Sequence, residues 1–293
     1  MTSTRLRTVP PAQDEALDKT PELPLSQDAC LERGWPCYDR CPDHEFRLPR
    51  QSDIRGLLHC HTRYDGGAHG LDRIVDTALE LGLEYLGITD RLQSAWCPDG
   101  LTPAAFARQR EEIEAVRESG CGLELLHGVE VEMGPDGEAP PELDAILDQV
   151  DFVAATLLDG NGADRRATTR RALHAVMNPV VSILGHPVGD YLTAGGDLPL
   201  DLDAVLVAAA EAGVAVELDA NPRHDDLSWH HCEEAQERGI VFVLASDAHR
   251  AARLIDYRHG AELSRRAGIC CHQILNTRPV DEVRAFFRRG KRG

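Results

Sequence analysis

Short apolar runs alternate with amphipathic stretches along most of this chain, and this alternation constrains its fold more than any other feature. The apolar runs are predicted strands: GLLHCH, EYLGITD, LELLHGVEVEM, VDFVAATL, VVSILGHP, VAVELDANP, IVFVLASDAH and a weaker ICCHQIL. Between them lie helical stretches such as LDRIVDTALELG, RRALHAVM, LDAVLVAAAEAG and SWHHCEEAQERG. Strands separated by helices form parallel sheets, and seven or eight such units predict an α/β fold closed into a barrel.

The first helical stretch carries the clearest periodicity. A buried stripe with the spacing i, i+3, i+4, i+7 and i+8 is predicted for Leu71, Ile74, Val75, Ala78 and Leu79. Gly82 is expected to end this helix.

Residues 1–50 lack this rhythm and hold many of the prolines and charges. We expect an extension or wrapping linker there, followed by a barrel domain over residues 51–293. Cys30, Cys37 and Cys41 lie close to His44 and would suit a small zinc site, although the spacing is not the usual pair of CxxC motifs. Free thiols are the simpler interpretation.

Composition restricts the partners. The net charge of −18 disfavours non-specific binding to duplex nucleic acid, whereas a phosphorylated small molecule or nucleotide stays compatible because local cations or metals outweigh a distant net charge. No apolar run is long enough for a transmembrane helix, and the N terminus lacks the apolar core of a signal peptide. We therefore expect a cytoplasmic protein with reduced cysteines and no membrane partner.

Polar side chains stand at the ends of successive predicted strands: His59, His61, Asp90, Glu130, His186, Asp247 and His249. In an α/β barrel these ends meet at the face that carries the active site. Imidazole and carboxylate groups bind zinc, manganese or iron, and burying so many ionisable groups together is costly without a cation. A metal site is therefore predicted there, with Asp90 orienting a ligand or capping a helix.

The same segments resemble PHP-domain (polymerase and histidinol phosphatase) proteins. DIRGLLHCHT, YLGITD, GVEVEM, ILGHP, ELDANP and SDAH follow the order of that family from Ser52 to the C terminus. SDIRG, QREEI and NTRP extend the likeness to the C-terminal PHP domain of bacterial family X DNA polymerases, so the chain looks like a detached PHP domain. The resemblance implies a distorted (β/α)7 TIM-like barrel with up to three metals that hydrolyses phosphoesters.

Carrying the family pattern onto this chain leaves one complete metal site. The resemblance implies that its ligands are His59, His61, Glu130 and Asp247. A second site would use Glu130 again with His186, but Leu157 stands where the family has a further histidine. Leucine cannot bind a metal, so one tightly bound zinc, manganese or iron ion is expected.

The third site of the family would join Asp65, His249 and a histidine, in whose place this chain has Arg91. Asp65 also comes one residue earlier than the family spacing. A guanidinium stays protonated and cannot replace a metal ligand. His69 and His224 would offer replacement ligands, but solvated loop histidines are the simpler interpretation.

Three functions stay open from the sequence. In a phosphoesterase for monoesters or diesters, Arg91 would hold the phosphate through a bidentate fork and His249 would act as general acid. Alternatively, Arg91 only forms a salt bridge with Asp65 or Asp90. A non-catalytic metal-binding scaffold with a protein partner would explain the lost ligands. An amidohydrolase-type barrel shares the HxH motif, but no bridging lysine is evident.

Overall fold

The structure, a computed structural model, describes residues 47–157, 164–188, 200–222, 227, 231–232 and 239–290. Within these ranges, seven parallel strands form one sheet in sequential order. They are β1 (Gly56–Leu57), β2 (Tyr85–Ile88), β3 (Glu124–Met133), β4 (Phe152–Leu157), β5 (Ile183–Leu184), β6 (Ala215–Asp219) and β7 (Phe242–Ala245). The predicted (β/α)7 TIM-like barrel is therefore confirmed.

Helices cover the outside of the sheet. Those in the described ranges are α1 (Leu71–Glu80), α2 (Pro103–Ser119), α3 (Arg165–Met177), α4 (Leu202–Ala212), α5 (Tyr257–Arg266) and α6 (Val280–Gly290). A large apolar cluster fills the space between strands and helices, since an amphipathic stripe is stable only when it packs on a second layer.

A smaller apolar cluster fills the barrel itself. Each strand or its first following residue contributes one or two side chains, namely Leu58, Tyr85, Leu126, Phe152, Ala154, Ile183, Ala215 and Val243. Phe287 of α6 stacks on Phe152 with 4.6 Å between ring centroids. At Gly128 a Cβ atom would lie 2.4 Å from the Phe152 ring, so only glycine fits there. Side chains thus fill this part of the barrel interior, and a ligand-binding site must lie above it, towards the C-terminal ends of the strands.

A side chain closes the seam between β1 and β7. The amide of Asn276, which is fully buried, donates hydrogen bonds to the carbonyls of Gly56 at 2.9 Å and Leu244 at 3.0 Å. Its oxygen accepts from the Leu244 backbone N–H at 2.7 Å. Further up the seam, Cys60 and Ala248 form an isolated parallel bridge.

Several expectations need correction or fall outside the described residues. The weaker eighth strand is wrong, because Cys271–Gln273 and Leu275–Thr277 form 3-10 turns and Ile274 alone bridges to Phe242. Leu79 is 37% exposed, at the edge of the predicted stripe. The predicted cysteine site, most of the extension over 1–50 and most of the SWHHCEEAQERG helix lie outside the described ranges. Across the helices that are described, none is long and apolar enough to cross a bilayer.

Candidate metal centre

Four of the predicted ligands converge above the barrel core. The Nε2 atoms of His59 and His61 lie 3.1 Å apart, and each is 3.4 Å from Oε2 of Glu130. Asp247 places Oδ1 at 3.0 Å from Nε2 of His61 and 3.9 Å from Nε2 of His59. These atoms belong to groups whose possible ligand atoms lie within 4.8 Å of one another, the spacing that one cation would bridge.

His186 reaches the same centre from β5. Its Nε2 lies 3.8 Å from Oδ2 of Asp247. Both residues have a left-handed backbone, with φ of 43° at His186 and 41° at Asp247. Such a conformation costs a non-glycine residue roughly 1–2 kcal/mol, and it is typical of functional sites where side chains must turn towards a common point.

A carboxylate holds the far nitrogen of each HxH histidine. Glu217 on β6, fully buried, places Oε1 at 2.5 Å from Nδ1 of His59. Asp65 places Oδ2 at 3.0 Å from Nδ1 of His61. A hydrogen bond at Nδ1 fixes the tautomer and leaves Nε2 available to a metal, and it makes the imidazole a better donor.

Glu217 did not emerge from the sequence analysis. Its other oxygen accepts a hydrogen bond from the His186 backbone N–H at 3.0 Å, so one carboxylate connects two predicted ligands. The available signal was a carboxylate in the middle of the apolar run VAVELDANP, where a charge survives only with partners.

Arg91 pairs with Asp65, as the simpler interpretation of that residue expected. Asp65 accepts from the Arg91 backbone N–H at 2.8 Å and from its Nε at 2.9 Å. Asp65 is 2% exposed and bonded on the Nδ1 side of His61, so its geometry suits orientation of that ring better than metal binding. Burial raises the pKa of Asp65, but the bonds from His61 and Arg91 outweigh this and lower it.

The electrostatics of the cluster favour a cation. Burial lowers the pKa of His61, but hydrogen bonds to Asp247 and Asp65 raise it to about 9. Burial also lowers the pKa of His59, but the carboxylates of Glu217 and Glu130 outweigh this and hold that pKa well above its usual range. Buried carboxylates therefore draw positive charge into this space, and nitrogen and oxygen donors of this kind suit zinc, manganese or iron.

Leu157 does not occupy a ligand position. Side chains alternate along β4, and Phe152 and Ala154 point into the barrel, so Thr156 is the next inward residue. Its hydroxyl donates to Oε1 of Glu130 at 2.9 Å. Leu157 instead packs against the outer apolar cluster. Within the described part of β4, which ends at Leu157, the residue that bonds a predicted ligand is therefore Thr156.

Asp90 bonds the residue that follows His61, and its role in orienting a ligand stays a prediction. Its carboxylate, fully buried, accepts from the Thr62 backbone N–H at 2.7 Å and from the Thr62 hydroxyl at 2.6 Å. Gln109 of α2 donates to the same carboxylate and bonds Nε2 of His127 at 3.1 Å through its Oε1. This buried network holds the backbone immediately after His61.

The remaining candidate histidines differ in position. His249 stacks on His61 with 4.2 Å between centroids, and its Nε2 is 3.5 Å from Oδ1 of Asp247. Burial and the neighbouring His61 lower the pKa of His249. The Nδ1 atom of His69 accepts from the Ala251 backbone N–H at 3.3 Å, which gives it a structural contact. His224 lies outside the described residues.

Known proteins resemble this chain over most of its described length. No protein-family model matches it. The DNA polymerase/3'-5' exonuclease PolX of Bacillus subtilis (strain 168) is 30% identical over 244 residues, which are 83% of this chain and 43% of PolX. A probable phosphatase of Thermoanaerobacter sp. (strain X514) is 26% identical over 249 residues, 80% of this chain and 96% of that protein. The chain thus spans less than half of PolX and nearly all of the phosphatase.

A solved structure shares the fold. Histidinol phosphate phosphatase (HisK) from Lactococcus lactis, complexed with zinc, L-histidinol and phosphate, superposes with a TM-score of 0.55 and 16% identity. The match covers 73% of this chain and 94% of HisK. The HisK match shows the shared fold, and the two sequence relatives, the motif order and the sequential seven-stranded barrel support the PHP-domain family for this chain.

Proposed function

We propose that this protein is a phosphoesterase that depends on a divalent transition metal, zinc, manganese or iron. The observation that carries the proposal is the convergence of the His59 and His61 Nε2 atoms with carboxylate oxygens of Glu130 and Asp247. The probable phosphatase of similar length and the phosphate-bound HisK support the same chemistry.

The four converging residues would hold one metal, with His186 as a further donor at its edge. A metal bound there would act as a Lewis acid on a phosphoryl oxygen and activate water. Glu217 and Asp65 keep the two imidazoles in the tautomer that this requires. Thr156 fixes Glu130 through its hydroxyl.

Two residues at the rim would act on the substrate. Arg91 is 44% exposed on its side chain and would bind phosphate oxygens. His249, 43% exposed beside Asp247, would transfer a proton to the leaving oxygen. The substrate class that best fits an acidic chain with one such arginine is a phosphorylated small molecule or nucleotide.

A screen with the manganese- or zinc-loaded protein tests the proposal. We expect hydrolysis of p-nitrophenyl phosphate, bis-p-nitrophenyl phosphate or a single-stranded oligonucleotide. The variant His61→Ala should lose activity and most of its metal by elemental analysis, because one of four donors is gone. The matched control is His174→Ala, an exposed histidine on α3. Activity that survives unchanged in His61→Ala would refute the proposal.

A non-catalytic scaffold is the competing function. The ion pair between Arg91 and Asp65 favours it, since that pair neutralises the position of a third metal without chemistry. A protein that retains its metal but hydrolyses none of the three substrate classes would support the scaffold.

A further inference from the structure

We infer that Arg91 makes this site selective for phosphomonoesters over phosphodiesters. The inference rests on the proposed function and specifies its substrate class. It follows from how the guanidinium is held and from which of its N–H groups stay available.

The backbone of Arg91 is fixed next to the centre. Arg91 and Glu130 form an isolated parallel bridge. The N–H of the next residue, Leu92, donates to the Glu130 carbonyl at 2.8 Å, and the Glu130 N–H donates to the Asp90 carbonyl at 3.3 Å. The arginine therefore extends β2 directly beside a predicted metal ligand, and its position does not depend on a loop.

One edge of the Arg91 guanidinium is hydrogen-bonded to Asp65, and its other edge faces no hydrogen-bond acceptor in the part of the chain that the structure describes. Nε bonds both oxygens of Asp65, at 2.9 and 3.1 Å, which anchors the base of the group. Within the described residues, the Nη1 and Nη2 atoms have no hydrogen-bond partner, and the side chain is 44% exposed. The end of the guanidinium thus presents two parallel donors, the arrangement that binds a phosphate bidentately.

The number of phosphoryl oxygens then decides between substrates. A phosphomonoester carries three non-bridging oxygens, so two can bind the Nη donors while the third stays available to the metal centre. A phosphodiester carries two, so with a bidentate contact to Arg91 the metal centre must share one oxygen with an Nη donor. A diester that keeps one oxygen for the metal alone reaches Arg91 through the other oxygen only. The dianionic charge of a monoester adds to the preference, because the fork and the metal are both positive.

The test is a binding measurement on the metal-loaded full chain, by calorimetry with methyl phosphate and dimethyl phosphate. The variants are Arg91→Lys, which keeps the charge without the fork, and Arg91→Gln, which removes both. The matched control is Arg55→Gln, an arginine of similar exposure (40%) that pairs with Glu84 at the opposite end of the barrel. Metal content is checked first by elemental analysis.

Loss of the fork should weaken methyl phosphate on the order of 10-fold in Arg91→Lys and up to about 100-fold in Arg91→Gln, as expected for charge-assisted hydrogen bonds. Dimethyl phosphate should change less than about threefold in Arg91→Lys, since a diester that keeps one oxygen on the metal has only one other oxygen for the guanidinium. Arg55→Gln should match wild type with both ligands. If Arg91→Gln loses its metal, Arg91→Lys decides alone.

Equal weakening of both ligands, or no change in Arg91→Lys, would overturn the inference. Faster hydrolysis of the diester than of the monoester substrate would overturn it while leaving the proposed phosphoesterase intact. Selective binding of methyl phosphate without hydrolysis of any ester would instead refute the proposed function and leave Arg91 as a selective anion-binding residue.

Discussion

Replacing Glu217 by glutamine tests the arrangement behind the candidate metal site. The carboxylate accepts two hydrogen bonds, from Nδ1 of His59 at 2.5 Å and from the His186 N–H at 3.0 Å. Glutamine has nearly the same shape but offers one acceptor oxygen, so its NH2 group must face one of these two donors. The variant therefore removes a contact and a charge without opening a cavity.

The magnitude follows from the contacts. Losing one hydrogen bond to a charged group costs about 1.5–3 kcal/mol, and about 2 kcal/mol corresponds to a roughly 30-fold change in an equilibrium constant. Residues that orient metal-bound histidines typically change metal affinity about 10- to 100-fold. Both routes predict that Glu217→Gln weakens zinc binding roughly 30-fold.

The assay is competition of the metal-free protein with a chelating dye of known zinc affinity. Glu84→Gln is the control, since that glutamate is half-exposed and pairs with Arg55 away from the centre. Circular dichroism would establish that both variants fold. Zinc affinity within twofold of wild type in Glu217→Gln, or an equal loss in both variants, would refute the role assigned to Glu217.

Two further predictions concern stability. Asn276→Ala removes three hydrogen bonds at the β1–β7 seam and leaves buried backbone groups unpaired, so urea unfolding should show a loss of about 3 kcal/mol; a loss below about 1 kcal/mol would contradict the seam. Burial lowers the pKa of His127 to about 4, below its unfolded value of about 6.5. This buried neutral histidine stabilises the fold fully above pH 6.5, and the contribution is lost as the pH falls from 6.5 towards 4. Between pH 7.5 and 5 the metal-free wild type should therefore lose about 2 kcal/mol more than His127→Gln, whereas equal losses would exclude His127 as the cause.

Local sequence patterns predicted much of the fold. The seven strong apolar runs all become strands or strand ends, because a fully buried parallel strand needs a continuous apolar segment. The weaker run around Ile274 failed, since Cys271–Gln273 and Leu275–Thr277 fold into 3-10 turns that bring Asn276 to the seam. No local sequence periodicity predicts that the Asn276 side chain, and not a ladder of backbone hydrogen bonds, would join β1 to β7.

The candidate site was likewise predicted from the sequence only in part. Placement of polar residues at strand ends brought His59, His61, Glu130 and Asp247 together, because parallel strands carry their C-terminal ends to one face. Their assignment as metal ligands stays a prediction. The partners of these residues depend on side-chain direction across the barrel, which local sequence does not show, and this is why the contact of Thr156 with Glu130 was not predicted.

The sequence by itself predicted the barrel, the face at which the polar residues gather and the types of those residues, since strand period and the position of each residue in its strand need only local information. The tertiary structure alone decided how those residues are held. Glu217 meets His59 across 158 positions of the chain, and Asp65 binds Arg91 through Nε, whereas the Arg91 Nη atoms have no hydrogen-bond partner among the residues that the structure describes. Such contacts depend on register and side-chain direction, which are set by packing of the whole barrel.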